Sequence, residues 1–351
     1  MKSFDSHFDQ RIPLTHALMR AVGRLREFRG KEELYRNQIP DSLETLRQAA
    51  VIQSTESSNR IEGVTAPLER IRDLVEKRTT PRDRSEQEIA GYRDALDLIH
   101  NNHAGMTLTS GLVLQLHKEL FKYTDRTGGV WKSVANHITQ FRVDGSAEVR
   151  FEPPPPHLVD GMMNTLHDSA NAMRSENEVE PLLVIAAYIL DFLCIHPFRD
   201  GNGRMARLLS LLMLYQAGYE VGRYVSLERV IENSKESYYD TLYHSSLRWH
   251  DGQHSLTPWT HYWLGTITAA YGDFESRVGL LTGGRGAKTA QVLEAIDSFV
   301  GRFTIAQIRE RCPNVGIDLI RRILQEKKKS GELEPVGRGP SAGWQKNIGT
   351  N

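Results

Sequence analysis

His196-Pro-Phe-Arg-Asp200-Gly-Asn-Gly-Arg204-Met-Ala-Arg207 is the stretch on which the reading of this chain turns. The residues before it, Pro181 to Cys194, are apolar enough for a buried helix, with nine unbroken apolar residues from Leu182 to Leu190. The residues after it, Arg204 to Gln216, are apolar at Leu208, Leu209, Leu211, Leu212 and Leu214, and Gly218 is placed to end that helix. The quoted residues are therefore a tight loop between two helices, anchored in the core by apolar flanks.

The loop carries an unusual set of groups. Gly201, Asn202 and Gly203 bring backbone amides to a helix start, where an anion is favoured and glycine lets a ligand approach closely. Arg204 and Arg207 are three apart on the first turn, so both can face one spot, and guanidinium groups suit phosphate oxygens. Asp200 beside such a site needs a cation between itself and the phosphates, and Mg²⁺ is the natural one. His196 titrates near neutrality and suits general-base work. A single His or Arg pair is more often structural; the joint pattern describes a nucleotide-phosphate site.

The pattern resembles the signature of the Fic family, His-x-Phe-x-Asp/Glu-Gly-Asn-Gly-Arg-x-x-Arg, with every defining position filled. The resemblance covers roughly residues 10–275 and is strong in two motifs. It implies an all-α, mainly helical Fic-type core with a small β-hairpin flap, which takes ATP and Mg²⁺ and moves AMP to a hydroxyl of a target protein. Residue by residue, His196 resembles the base, Phe198 the anchor of the loop and Asp200 the Mg²⁺ ligand. Gly201, Asn202 and Gly203 resemble the anion hole, and Arg204 and Arg207 the phosphate arginines. The stretch from about 128 to 152, with Asp144-Gly145 as a hairpin turn and prolines at 153–156, resembles the flap that binds the target. Trp131, Lys132, Asn136, His137, Ile138 and Thr139 are its expected edge. Tyr238 and Tyr239 resemble the helix that closes over the nucleoside; adjacent residues face different sides, so one of them is expected on the nucleotide, and a core tyrosine pair is the other reading. Trp259, Tyr262 and Trp263 read as core.

A second motif lies upstream. Asp41 to Glu62 reads as one helix, ending in Ser58-Asn-Arg-Ile-Glu62-Gly63. Ser58 and Glu62 share a face, and Gly63 suits the position after the last turn. A carboxylate there opposes the helix dipole by about 0.3–1 kcal/mol, so Glu62 is either solvated or partnered elsewhere. The motif resembles the family's inhibitory helix, which implies that Glu62, with Ser58, pairs with Arg207 and blocks the γ-phosphate.

Composition bounds the rest. The 351 residues are 39% hydrophobic and 25% charged, and 44 basic residues balance 44 acidic ones. No global field attracts nucleic acid or membrane. Two cysteines, Cys194 and Cys312, exclude a disulfide framework. No apolar run approaches the roughly 18 residues of a membrane helix, and Met1–Pro13 is too polar for a signal peptide. The expectation is a cytoplasmic protein with no membrane partner. The domains expected are an N-terminal helical region (1–100, inhibitory helix about 41–63), a catalytic core (101–280), a linker (281–287) and a winged-helix-like domain (288–351). From Arg285 onward twelve Lys/Arg stand against seven Asp/Glu, a net of +5. The basic helix with Arg321, Arg322 and Lys327–Lys329 is a candidate for DNA, protein docking or plain solvation. The leading expectation is a protein adenylyltransferase; the alternatives are an enzyme that removes AMP through Glu62 and a DNA-binding regulator with a sensor core. A homodimer is a further candidate partner state.

Overall fold

The computed structural model describes residues 1–141, 147–281, 287–297, 299, 302–313, 315–337 and 343–346. The expected Asp144-Gly145 turn, positions 282–286 of the expected linker and residues 338–342 lie outside the described residues. The chain divides into two compact units, Met1–Phe274 and Glu275–Asn351.

The first unit is built of α1 (Phe8–Arg11), α2 (His16–Gln38), α3 (Pro40–Ile61), α4 (Leu68–Val75), α5 (Arg84–Asn102) and α6 (Ser110–Leu120). A hairpin of β1 (Ile138–Phe141) and β2 (Ala147–Phe151) follows, then α7 (Pro156–Glu176), α8 (Pro181–Ile195), α9 (Asn202–Gln216), α10 (Leu227–Asn233), α11 (Lys235–Ser246) and the start of α12 (Thr257–Leu281). The starts are written in the sequence. Thr15, Asp83, Thr109 and Ser226 each accept an N–H of the first turn of α2, α5, α6 and α10. Prolines open α3, α7 and α8, where the missing N–H costs nothing.

The pair α8 and α9 forms the centre and is buried along almost its whole length, which is why its sequence is apolar all round rather than on one stripe. Among its neighbours, α5 packs on α9, and α7 and α11 pack on α8. Trp259 and Trp263 of α12 are buried as expected, and Trp259 Nε1 donates to the Ala186 carbonyl at 2.8 Å. Tyr262 instead sits half-buried, its hydroxyl 2.9 Å from Ser234 Oγ. The N-terminal residues are tied to α8: Ser3 donates N–H and Oγ–H to the buried Asp191 carboxylate at 3.0 and 2.6 Å. β1 and β2 are antiparallel, Ile138 facing Phe151 and Thr139 facing Val149, with a bulge between them. Among the described residues no helix is long and apolar enough to cross a membrane.

The second unit contains α13 (Ala287–Asp297), α14 (Ile305–Arg311), α15 (Ile317–Lys329) and the hairpin β3 (Leu333–Val336) with β4 (Gly343–Lys346). Its own core gathers Val292, Ile296, Phe303, Ile308, Ile320, Ile323 and Leu324. Thr304 and Gln307 form a reciprocal capping box at the start of α14.

Candidate active site

The loop between α8 and α9 is fixed from several sides. Phe198 is fully buried and stacks on the His117 ring with centroids 3.7 Å apart. Asn202 reaches back to the Phe198 backbone, accepting its N–H at 2.9 Å and donating to its carbonyl at 2.8 Å. Lys132 is buried: its N–H donates to Pro197 O at 2.8 Å and its Nζ to Ile195 O at 3.2 Å. Asn136 Nδ2 donates to Phe198 O at 3.0 Å. His117 Nδ1 accepts the Gly129 N–H at 2.9 Å, so its Nε2 carries the proton and donates to the Asp200 carbonyl at 3.1 Å. Burial holds the His117 ring near a pKa of about 3, so it stays neutral.

This framework aims the reactive groups. His196 is the left-handed cap of α8 (φ 49°). Its Nδ1 lies 3.3 Å from Leu193 O; a carbonyl only accepts, so Nδ1 carries the proton and Nε2 keeps its lone pair. Burial, aided by the Lys132 charge, lowers its pKa to about 4, and the ring is neutral at pH 7. Gly201, at φ 82°, turns the chain into α9, and a Cβ there would meet the Phe121 ring at 2.9 Å. No side chain caps α9, so its first amides remain available to an anion.

The C-terminus of α3 arrives at this helix start. Gly63 N–H bonds Arg60 O and Val64 N–H bonds Asn59 O, both at 3.0 Å, with Gly63 at φ 80°. This is a Schellman closure, and it leaves Glu62 as the cap residue pointing across to α9. Arg207 Nη2 donates to Glu62 Oε1 at 2.8 Å and to Ser58 O at 2.9 Å; its Nε donates to Ser58 Oγ at 2.8 Å. Burial alone would raise the Glu62 pKa, but Arg207, with Arg204 and Lys235, holds it below the ordinary value, so the pair is ionic. A Cβ on Gly203 would collide with Glu62 Oε1: the carboxylate occupies the space over the helix start.

His196, Glu62, Gly203, Arg207, Tyr238 and Tyr239 line one cavity of about 250 Å³, whose other walls include Ile138, Phe151, Leu190 and Leu193. That is below the roughly 300–1,000 Å³ of usual small-ligand sites. Tyr238 is buried and Tyr239 is 39% exposed, the two rings meeting edge to face.

Two expectations require correction. Arg204 does not share a partner with Arg207. It is buried and donates to the buried Glu88 of α5 at 2.7 Å, because a desolvated guanidinium needs a carboxylate and α5 supplies one. The Asn202 side chain serves the loop, and its backbone amide stays at the helix start where the sequence placed it. Trp131, Lys132, Asn136 and His137 precede β1 and are not on a strand edge: Lys132 and Asn136 brace the signature loop, and Trp131 Nε1 donates to Asp160 at 2.9 Å. Ile138 and Thr139 do lie on β1. Asp200 is half-exposed, accepts the Gly201 N–H at 2.6 Å, pairs with Arg126 and lines a second cavity of about 740 Å³. His117, Glu88 and Arg126 escaped the reading of the sequence, since their partners lie 83, 116 and 74 residues away.

Residues 107–214 match the model of the Fic/DOC family. Proteins named protein adenylyltransferase Fic from Nematostella vectensis and Drosophila grimshawi are 27% and 30% identical over 48% and 51% of this chain. The chain spans only 39% and 36% of the length of those relatives. In fold, it is similar to a Fic family protein from Desulfovibrio desulfuricans, with a TM-score of 0.62, 22% identity and coverage of 96% of this chain and 98% of the other. A Fic-domain signalling protein from Bacteroides thetaiotaomicron gives a TM-score of 0.58 at 20% identity over 72% of this chain and 95% of its own. The matched span contains α6, which carries His117, the β1–β2 hairpin, and the signature loop with α8 and most of α9, so the likeness to the Fic/DOC family is concentrated on the elements that build this site.

Proposed function

We propose that this protein is an adenylyltransferase that moves AMP from ATP to a hydroxyl of a target protein, and that Glu62 holds it in a resting state. The observation that carries the reading is the shared cavity, in which a neutral His196, the uncapped start of α9 and Arg207 converge on the Glu62 carboxylate. His196 Nε2 accepts the proton of the target hydroxyl. The hydroxyl oxygen forms a bond to the α-phosphorus, and the bond from that phosphorus to the bridging oxygen breaks, releasing pyrophosphate. The amides of Gly203 and its neighbours and the guanidinium of Arg207 stabilise the charge, so catalysis rests on position and electrostatics. Asp200 would hold Mg²⁺: its half-exposed carboxylate is a hard oxygen donor of the kind Mg²⁺ takes alongside phosphates. When bound there, Mg²⁺ supplies charge neutralisation of the phosphates. The target segment is proposed to lie along the flap strand at Ile138 and Thr139. Intact-mass measurement of the Glu62→Gly protein with ATP and Mg²⁺ tests the reading. A gain of one AMP on itself or on lysate proteins is expected, and no gain from a folded, ATP-binding protein defeats it.

A second reading concerns the 275–351 unit. Its order of three helices and a hairpin is that of a winged helix, and α15 exposes Arg321 and Arg322, with 60% and 67% of their side chains accessible, beside a last turn of Lys327, Lys328 and Lys329. A basic helix of this kind supports duplex DNA as a partner. Replacing the three lysines with Ala should weaken DNA binding and reduce its salt slope. An absence of salt-sensitive binding by the unmodified protein at low salt would assign the unit to protein contacts.

A further inference from the structure

Asp200 has both carboxylate oxygens engaged in the resting structure. Oδ1 accepts the Gly201 N–H at 2.6 Å, and Oδ2 takes Nη1 of Arg126. Arg126 is itself placed for this. Its N–H bonds Thr124 Oγ1 at 3.3 Å, Thr124 Oγ1 in turn donates to Phe121 O at 2.9 Å, and its guanidinium lies over the Phe121 ring, 6.0 Å from the centroid. Arg204 covers the same ring at 5.3 Å, with its Nη2 3.8 Å from Asp200 Oδ1.

The Arg126 contact is not needed to position the loop. Asp200 is already fixed through its backbone by His117 Nε2–H, and Gly201 closes a local bond on the other carboxylate oxygen. The ion pair is also partly open, with 35% and 48% of the two side chains accessible, so its partner can be exchanged at modest cost. In the cavity lined by His196, Glu62 supplies Arg207 with a negative charge. The two contacts have complementary signs: one gives an arginine an anion, the other gives a carboxylate a cation.

We propose that Arg126 is a placeholder for the divalent cation on Asp200, a positioning residue that competes with the metal and sets the Mg²⁺ concentration at which nucleotide is held productively. The proposal rests on the reading of Asp200 as the metal-holding residue. Loading the site exchanges one cation for another at a fixed carboxylate, and the released guanidinium turns into the cavity it lines with Arg199 and Thr127.

The test is a Mg²⁺ titration of fluorescent-ADP binding in the full chain carrying Glu62→Gly, read as the midpoint Mg²⁺ concentration. Adding Arg126→Gln should lower that midpoint about two- to fivefold, since a partly exposed ion pair is worth up to about 1 kcal/mol. Arg126→Lys, which keeps the charge, should return it toward the starting value. An unchanged or higher midpoint with Arg126→Gln overturns the placeholder, and a higher one makes Arg126 a phosphate contact. Asp200→Asn should raise the midpoint strongly; if it leaves it unmoved, the metal reading of Asp200 fails and the placeholder with it.

Discussion

Glu62 is a residue in a locally poor position that its distant partner makes favourable. At the end of α3 it opposes the helix dipole, yet it sits at the opposite, electropositive end of α9 and against Arg207. On the proposed function, its replacement by Gly should cost α3 little and free Arg207 and the amides of α9 for phosphate. Truncating one partner of a buried charge pair is worth about 3–5 kcal/mol. Here 31% of the Glu62 side chain remains accessible, so a discounted value of about 1.5–3 kcal/mol applies, roughly ten- to hundredfold in AMP transfer. The double variant Glu62→Gly, Arg207→Ala should return to low activity in the same intact-mass assay, and retained high activity would show that the gain does not pass through Arg207. That His196, Glu62 and Arg207 would come together in one cavity was legible because each motif places its groups within a few residues. Glu88 was not: nothing within α5 marks it as the partner of Arg204, since the ion pair exists only after two helices pack.

The helices around the loop were legible from apolar patterning and capping residues, while the loop's own bracing was not. Lys132 and Asn136 read as a recognition edge because their stretch resembles a target-binding flap, but the buried Lys132 and the half-buried Asn136 turn inward onto Pro197, Ile195 and Phe198. Asn202 read as one amide of an anion hole, and its side chain proves to be the staple between the start of α9 and the Phe198 backbone. Asn202→Ala leaves a buried N–H and carbonyl of Phe198 short of a partner each, although Asn136 still reaches the carbonyl. A loss of about 1–3 kcal/mol in urea unfolding is expected. Asn202→Asp, which accepts the N–H but cannot donate to the carbonyl, should fall between the two. Equal stability of the Ala variant and the parent would mean that Phe198 stacking, Lys132 and Asn136 suffice to hold the loop.

Across the whole first unit, the N-terminal helices are clasped to the core by buried polar groups that no local pattern announces. Glu32 of α2 is the sharpest case. Its side chain is buried, and its Oε2 accepts the Tyr271 hydroxyl of α12 at 2.5 Å and the Glu220 N–H at 3.3 Å, while among the described residues Oε1 has no partner. Burial raises its pKa to about 7, against the Tyr271 hydrogen bond and the Arg36 charge, which lower it, and with the Glu220 charge, which adds to the rise. The folded state therefore binds this proton more tightly than the unfolded chain, whose ordinary value is 4.5. The stabilisation is fully present below pH 4.5, is lost as pH rises through about 7, and is gone above it. The amount at stake is roughly 2–4 kcal/mol at 1.36 kcal/mol per unit. Glu32→Gln keeps an oxygen for Tyr271 and cannot ionise, so it should flatten this slope. Its urea midpoint should change less between pH 5 and pH 8 than that of the parent, and it should be the more stable protein at pH 8. Parallel pH profiles for the two proteins would show that Glu32 is ionised in the fold at both pH values and that water or Arg36 reaches Oε1. In that event α2 would be held to α12 by the stacking of Phe28 on Tyr271, with centroids 5.3 Å apart, and by its apolar contacts rather than by a shared proton.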